Sequence, residues 1–193
     1  MVVTIARQHG SGGRMIGQYL AQLLNVPFYD RELIALTAKK SGFAEEFVRG
    51  MEERPNTSLL YGIYNAVSGP SVYDRAQAAQ FSVIREAAKN PCVIVGRAAD
   101  CVLHGKVPCV RVFIYASMEE RIKRVREEYH EEYSDPEKAL VKSDKTRAGF
   151  YNDYAEYPWG DYRNYDLMIS SSIGDEETAR IIAEYVCSRA QQK

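Results

Sequence analysis

The sequence predicts a three-layer α/β fold in which helices flank a five-stranded parallel sheet. Short apolar, β-branched runs alternate along the chain with segments of helical periodicity, which is typical of strand–helix–strand units. The first of these runs, residues 2–6, is rich in β-branched apolar residues and does not alternate with charged ones, as expected for a strand that is buried on both faces. The length of 193 residues fits one domain, residues 1–193, without repeats or low-complexity linkers.

The N-terminal third begins with a strand over residues 2–6, which a glycine-rich turn follows directly. Apolar side chains then recur at helical spacing over residues 14–24 and predict an amphipathic helix. Residues 26–29 have the composition of a second short strand, and Asp30 is placed to cap the helix after it.

Residues 30–90 have a largely helical pattern that ends in one long helix over residues 71–89. The pattern is interrupted near Gly42, Pro55 and Gly69–Pro70. Two further buried strands are predicted over residues 92–95 and 110–115.

The C-terminal third continues the alternation of helices and strands. A charged helix is predicted over residues 118–133, and Pro136 suits the first position of the helix that follows. Residues 167–169 form the fifth predicted strand, and Asp175 begins a terminal helix.

Composition excludes several classes of protein. The formal net charge of −1 argues against a dedicated nucleic-acid binder, which is usually strongly basic. The cysteines have neither C-x-x-C nor zinc-finger spacing, so free thiols are expected; they are Cys92, Cys101, Cys109 and Cys187. No leader pattern or long apolar stretch is present, which predicts a cytoplasmic protein without a membrane partner. The sequence does not indicate an oligomeric state.

The turn between the first strand and the first helix has the chemistry of a phosphate-binding site. Glycines let backbone N–H groups converge on an anion, and the helix N-terminus adds unpaired donors and a positive dipole end. The residues predicted to bind a nucleotide cofactor are His9, Gly10, Ser11, Gly12, Gly13, Arg14 and Met15. Against the pattern G-x-x-x-x-G-K-[ST], Arg14 replaces the lysine and Met15 replaces the hydroxyl residue that usually contacts Mg²⁺.

Two alternatives to a phosphate-binding site are a purely structural turn and a dinucleotide-binding site. The turn could serve only as a tight connection between strand and helix. A dinucleotide site requires G-x-G-x-x-G, and the glycines at 10, 12 and 13 do not have that spacing.

With these residues in place, the chain resembles the cytidylate kinase-like family of P-loop kinases over nearly its whole length. The segments that carry the resemblance are ARQHGSGGR, PFYDREL, VIVGRAAD, VFIYAS, SDKTRAGFY and NYDLMISSS. The resemblance implies a P-loop NTPase fold that uses ATP and Mg²⁺, with a helical acceptor-binding segment at residues 30–90 and a lid-like segment at about 121–160. It also implies that Arg97 contacts the acceptor's phosphate and that Asp30 and Asp100 lie at the acceptor site.

The sequence departs from cytidylate kinases at two positions near the predicted site. Arg14 stands where they have lysine, and Ala98 follows Arg97 where they have aspartate, with Asp100 two residues further on. These departures bear on the recognition of cytosine more than on the binding of phosphate.

Phosphoryl transfer requires positive charge around the migrating group. The candidate catalytic residues, besides Arg14 and Arg97, are Arg121, Arg124, Lys145 and Arg147. Instead of acting in catalysis, Arg121 and Arg124 could lie on a solvent-exposed face of the charged helix and form ion pairs with neighbouring glutamates. No protein ligand for a metal is assigned from the sequence.

Three functions follow from these patterns. The first is a nucleoside monophosphate kinase acting on small-molecule nucleotides, with cytidylate as the first acceptor to test. The second is a catalytically weakened nucleotide-binding or sensing protein, which Met15 and Ala98 suggest. The third is a P-loop kinase with a non-nucleotide acceptor.

Overall fold

The computed structural model describes residues 1–51 and 71–191, and its centre is a five-stranded parallel sheet. The strand order is β2–β3–β1–β4–β5, and every neighbouring pair is parallel. The strands are β1 (Val2–Arg7), β2 (Phe28–Tyr29), β3 (Val93–Val95), β4 (Cys109–Tyr115) and β5 (Leu167–Ser170). The predicted parallel sheet of five strands is therefore confirmed.

Helices connect the strands and cover both faces of the sheet. In the described residues they are α1 (Gly13–Leu24), α2 (Glu32–Ser41), α3 (Glu45–Gly50), α4 (Val72–Ala87), α5 (Ala99–Leu103), α6 (Met118–Glu127), α7 (Pro136–Asn152) and α8 (Asp175–Gln191), with a 3₁₀ turn at Tyr162–Asn164. The predicted breaks at Pro55 and Gly69–Pro70 lie outside the described residues. The break at Gly42 is confirmed, because Gly42 ends α2 in the left-handed conformation with φ of 74°.

The predicted helix over residues 118–133 is too long by about six residues. Helix α6 ends at Glu127, and His130 has a φ of 54°, which a continuing right-handed helix does not allow. The chain therefore turns before α7, where the side chain of Asp135 accepts a hydrogen bond from the Lys138 N–H and Pro136 occupies the first turn, as predicted.

The two faces of β1 supply the two cores that the three layers require. Val3 and Ile5 face one side, where Ile16 of α1 and Ile182 of α8 pack against them. Val2 faces the other side, in a second cluster of apolar residues from β3, α2, α4 and α5. Because side chains alternate along a strand, the continuous apolar run of β1 is buried on both sides.

The parallel arrangement brings the carboxyl ends of the strands to one edge of the sheet. The loop after β1, Asp30 after β2 and Arg97 after β3 all follow strand ends at this edge. Open α/β sheets bind their ligands at such an edge, so the fold itself places the candidate residues together.

Close packing of α1 on the sheet depends on Gly17. A Cβ atom at this position would lie 2.9 Å from Phe28 Cε2, 3.0 Å from Val95 Cγ2 and 3.3 Å from Ile5 Cδ1. These distances are shorter than ordinary van der Waals contacts, so α1 approaches β1 and β3 more closely than any larger residue would allow.

We expect Gly17→Ala to destabilise the fold by up to about 2 kcal/mol. Overpacking costs roughly 1–3 kcal/mol, whereas the gain in helix propensity is about 1 kcal/mol. Urea unfolding measures the difference, and Gln22→Ala on the exposed face of the same helix is the control. A more stable Gly17→Ala variant would show that α1 can move away from the sheet at little cost.

Candidate active site

The loop between β1 and α1 is shaped by two glycines with positive φ. Gly10 has a φ of 79° and Gly12 a φ of 77°. A Cβ on Gly10 would lie 2.8 Å from the carbonyl oxygen of Arg121. A Cβ on Gly12 would collide with the guanidinium of Arg124 and lie 2.6 Å from Asp175 Oδ1. Both conformation and space therefore require glycine at these positions.

The side chain of Ser11 anchors the loop to the sheet. It is fully buried, and its hydroxyl lies within hydrogen-bonding distance of the carbonyl oxygens of Gln8 and Ile114, at 2.9 and 3.2 Å. Gln8 adds a contact to the same end of β4, since its Oε1 accepts from the Ala116 N–H at 3.2 Å. The hydroxyl of Ser11 consequently stabilises the shape of the loop, and contact of Ser11 with a nucleotide stays a prediction.

An ion pair between Arg121 of α6 and Asp144 of α7 binds the backbone of His9, at both its N–H and its carbonyl group. Arg121 Nε donates to the His9 carbonyl at 2.6 Å, and its Nη2 donates to Asp144 Oδ2 at 2.5 Å. The other carboxylate oxygen, Asp144 Oδ1, accepts from the His9 N–H at 2.8 Å. Arg121 is only 4% exposed. In this structure its guanidinium therefore positions the loop and links it to α7.

The imidazole of His9 makes a second link to the same region. Nδ1 lies 2.8 Å from Ser143 Oγ, and Nε2 lies 3.1 Å from Glu131 Oε2. Burial, the largest cause, and the nearby Arg147 lower the pKa of His9 from its ordinary value of 6.5, although Glu131 opposes the shift. The neutral ring then donates from Nε2 to the carboxylate and accepts at Nδ1 from the serine hydroxyl.

Arg124 supports the loop at Gly12. Its Nη2 donates to Asp175 Oδ1 at 2.7 Å, and its Nε donates to Glu128 at 3.2 Å. Arg121 and Arg124 therefore share one helix face, as their spacing predicts, but that face packs against the back of the loop. Neither side chain lines the cleft in front of it, and direct contact of either arginine with phosphate stays a prediction.

The cleft in front of the loop is strongly basic. Its described lining contains seven basic side chains against two carboxylates, Asp30 and Glu131, and has a volume of about 1360 Å³. The basic residues are Arg7, Arg14, Arg31, Arg49, Arg97, Lys142 and Arg147. The whole chain has a net charge of −1, so this excess of five positive charges is concentrated at one place. Such a cleft attracts polyanions.

Asp30 and Arg7 connect the three strand ends. Asp30 Oδ2 lies 3.3 Å from Arg14 Nε, and its Oδ1 lies 4.0 Å from Arg7 Nη2. The aliphatic part of Arg7 packs where Gly13 would carry a Cβ, and its guanidinium passes directly over Gly96. Arg7 was not among the predicted site residues, because a basic residue at the end of a strand has no motif.

The backbone at the end of β3 is strained. Three consecutive residues have left-handed φ values: Gly96 at 79°, Arg97 at 59° and Ala98 at 49°. Non-glycine residues in this region cost free energy and are concentrated at functional sites. Arg97 lines both the cleft and a smaller neighbouring cavity.

Asp100 lies in that smaller cavity rather than in the cleft. The cavity is about 30 Å³, near the size of a water molecule, and Arg147 and Trp159 also line it. The Tyr151 hydroxyl donates to Asp100 Oδ2 at 2.5 Å. Burial raises the pKa of Asp100. Contact of Asp100 with an acceptor stays a prediction.

Helix α7 presents one face to the cleft, and Lys145 is not among the residues that line it. Residues of α7 that line the cleft recur at helical spacing: Ala139, Lys142, Ser143, Thr146 and Arg147. Lys145 is exposed and lies in a neighbouring groove with Asp135, Lys138 and Lys142. Arg147 lines the cleft and Lys145 does not, and a catalytic role for either residue stays a prediction.

Comparison with known proteins identifies the family. The sequence profile of the cytidylate kinase-like family matches residues 2–173.

The chain belongs to the cytidylate kinase-like family.

Solved structures share the fold. An uncharacterized protein from Eubacterium ventriosum ATCC 27560 is 26% identical with a TM-score of 0.72, over 97% of this chain and 99% of that one. A shikimate kinase from Acinetobacter baumannii is 16% identical with a TM-score of 0.54, over 97% and 93% of the two chains. A gluconokinase from Sinorhizobium meliloti 1021 is 17% identical with a TM-score of 0.51, over 97% and 96%. A comparison with curated proteins finds no match.

These results confirm the predicted family and P-loop kinase fold, and they support a small-molecule kinase. In residues 1–51 and 71–191 no helix is both long and apolar enough to span a membrane.

We expect Gly12→Ala to weaken the binding of ATP at least about tenfold, because the new Cβ displaces Arg124 or the loop itself. Gly42→Ala is the matched control. Gly42 has a similar φ of 74°, but no atom of the described residues lies within 4 Å of an added Cβ. Both variants carry similar backbone strain, so the difference between their Kd values for ATP, measured by calorimetric titration, reports the effect of the contact between the new Cβ and Arg124. Equal losses in the two variants would contradict a specific role for the loop.

Proposed function

We propose that this protein transfers the γ-phosphoryl group of ATP to a nucleoside monophosphate, with cytidylate as the first acceptor to test. The observation that carries the proposal is the cleft, where an excess of five positive charges faces a glycine-rich loop at a helix N-terminus. Phosphoryl transfer depends almost entirely on positioning and on stabilisation of negative charge. A cleft of this composition supplies both.

The donor side of the site is the loop and the first turn of α1. Backbone N–H groups of residues 10–15 would hold the phosphates of ATP, and Arg14 would bridge them with its planar guanidinium. Arg14 Nε lies 3.3 Å from Asp30 Oδ2. An incoming phosphate would compete with this carboxylate for the same guanidinium.

Mg²⁺ would be held in this site by one carboxylate together with phosphate oxygens and water. No group of three or more ligating side chains is present among the described residues, so a cage made by protein alone is absent there. Mg²⁺ commonly uses one or two carboxylates with phosphate oxygens and water, and Asp30 is the carboxylate beside Arg14. Bound there, the ion would neutralise charge on the β- and γ-phosphates.

The acceptor side supports a substrate with its own phosphate. Arg31, Arg49 and Arg97 line the cleft from α2, α3 and the end of β3. They provide more positive charge than the donor phosphates require once Mg²⁺ is bound. An acceptor phosphate brings about two further negative charges and would balance them. A neutral acceptor would leave these arginines uncompensated.

The lid side would complete the site from α7. Lys142 and Arg147 face the cleft, and the Asp144–Arg121 pair fixes their helix to the loop. Closure of this side would exclude water and limit wasteful hydrolysis of ATP.

A weakly catalytic nucleotide-binding protein is the second candidate, and Met15 favours it. Met15 lines the cleft and is 38% exposed, so a thioether stands where a hydroxyl usually contacts Mg²⁺.

The proposal is tested by ADP formation from ATP and Mg²⁺ over a panel of nucleoside monophosphates. We expect turnover that requires an acceptor and falls at least about 100-fold in Arg14→Ala, since a charged contact to the transferring group is lost. Binding of ATP without turnover on any acceptor would favour the second candidate. Turnover with a non-nucleotide acceptor alone would replace the proposed substrate.

We further expect Lys142→Ala to lower kcat/KM at least about tenfold, because a cation is removed from the cleft. Lys145→Ala is the matched control, three residues away in α7 and outside the lining of the cleft, and should change kcat/KM less than about twofold. Steady-state kinetics with the best acceptor measure both values. A larger loss in Lys145→Ala would restore the sequence-based assignment of that lysine.

A further inference from the structure

The buried face of α4 carries two glutamines whose amides are only partly paired. Gln80 is fully buried, and Gln77 is 5% exposed. Gln77 Nε2 donates to Gln80 Oε1 at 3.3 Å. Within residues 1–51 and 71–191, neither Gln77 Oε1 nor Gln80 Nε2 has a hydrogen-bond partner.

Unpaired buried amides are rare in native proteins because they lose hydrogen bonds to water without replacement. Packing alone does not require them here, since methionine has nearly the shape of glutamine and no polar group to satisfy. The free groups are one acceptor, Gln77 Oε1, and one donor, Gln80 Nε2. They are available to a ligand that offers a donor beside an acceptor.

The pair lies near the acceptor side of the cleft, although neither glutamine is among the residues that line the cleft. Ala76, adjacent to Gln77 in α4, packs in one cluster with Ile34 of α2. Ile34 in turn lines the cleft together with Arg31 and Arg49. On the other side, Phe81 packs edge-on against Tyr154 with ring centroids 4.9 Å apart. The glutamines therefore lie in the wall between α2 and the aromatic residues that follow α7.

We propose that Gln77 and Gln80 recognise the edge of the acceptor's nucleobase, an inference that rests on the proposed kinase function. Each nucleobase presents a hydrogen-bond donor beside an acceptor, as the amino group and N3 of cytosine do. The amino group would donate to Gln77 Oε1, and N3 would accept from Gln80 Nε2. An acceptor without a base offers no such edge and leaves both amides unpaired, which is how a polar pocket rejects an incomplete ligand.

Binding in this mode requires α4 to separate from its neighbours and close again over the base. Closure then removes water from the amide contacts. Selectivity is greatest under these conditions, because an unmatched amide finds no alternative partner.

Equilibrium binding separates the contribution of the base from that of the phosphate. Calorimetric titration of the full chain with CMP, UMP, AMP, GMP and ribose 5-phosphate gives a Kd for each. We expect at least one nucleotide to bind about tenfold or more tightly than ribose 5-phosphate, as two neutral hydrogen bonds allow. In Gln77→Met and in Gln80→Met, the Kd for ribose 5-phosphate divided by the Kd for that nucleotide should fall toward one.

Thermal unfolding distinguishes recognition from a structural role. Without ligand, the double variant Gln77→Met/Gln80→Met should have a Tm equal to or above that of the wild type, because both members of the incompletely paired amide pair are replaced by apolar groups. Thr37→Val is the control: Thr37 is fully buried, but its hydroxyl donates to the Leu33 carbonyl at 2.6 Å. Thr37→Val should have a lower Tm than the wild type and keep the wild-type ratio of Kd values for ribose 5-phosphate and the nucleotide.

Two results would overturn the inference. One is a wild type that binds every nucleotide as weakly as ribose 5-phosphate, and the other is a pair of methionine variants that keep the wild-type ratio. The proposed kinase function fails on a different measurement, the absence of acceptor-dependent ADP formation with any nucleoside monophosphate. A wild type that phosphorylates a nucleotide while the variants keep its base preference refutes only the role of the glutamines.

Discussion

The contact between the glycine-rich loop and two arginine–carboxylate pairs determines how the rest of the site is built. Arg121 and Asp144 hold the peptide at His9, and the guanidinium of Arg124 with Asp175 leaves room for nothing larger than hydrogen at Gly12. These groups come from α6, α7 and α8, so the loop is fixed by three helices as well as by its own strand. Because both guanidinium groups are largely buried, each is paired with a carboxylate that offsets the cost of its desolvation.

The same arrangement separates two kinds of arginine that composition cannot distinguish. Arginines behind the loop are occupied by carboxylates and backbone carbonyls and give the loop its shape. Arginines in front of it line an open cleft. Helix α7 contributes to both groups, since Asp144 joins the supporting pair while Lys142 and Arg147, one turn away or less, face the cleft. Any movement of α7 is therefore transmitted directly to the loop.

Much of the fold could be predicted from the sequence because the responsible forces are local or periodic. Short runs rich in apolar and β-branched residues identified every strand of the sheet, and the glycine spacing after the first strand identified the loop. Arg7 and the two glutamines of α4 escaped prediction for a different reason. Their importance depends on which groups lie opposite them in space, such as Gly96 for Arg7, and no sequence pattern records such neighbours. Lys142 could have been predicted to line the cleft, because it shares a helix face with Ala139, Ser143 and Thr146, which line the cleft with it.

The net charge of the chain illustrates the same limit in electrostatic terms. A value of −1 argues against a polybasic nucleic-acid surface on the whole chain, yet the cleft has an excess of five positive charges. Charges separated by more than about 8–10 Å are largely screened at physiological ionic strength, so a ligand in the cleft responds to the local lining rather than to the total. Asp30 moderates that field at its centre by pairing with Arg14. A phosphate that displaces this carboxylate exchanges one charged partner of Arg14 for another, and the guanidinium therefore remains paired before and after the ligand binds.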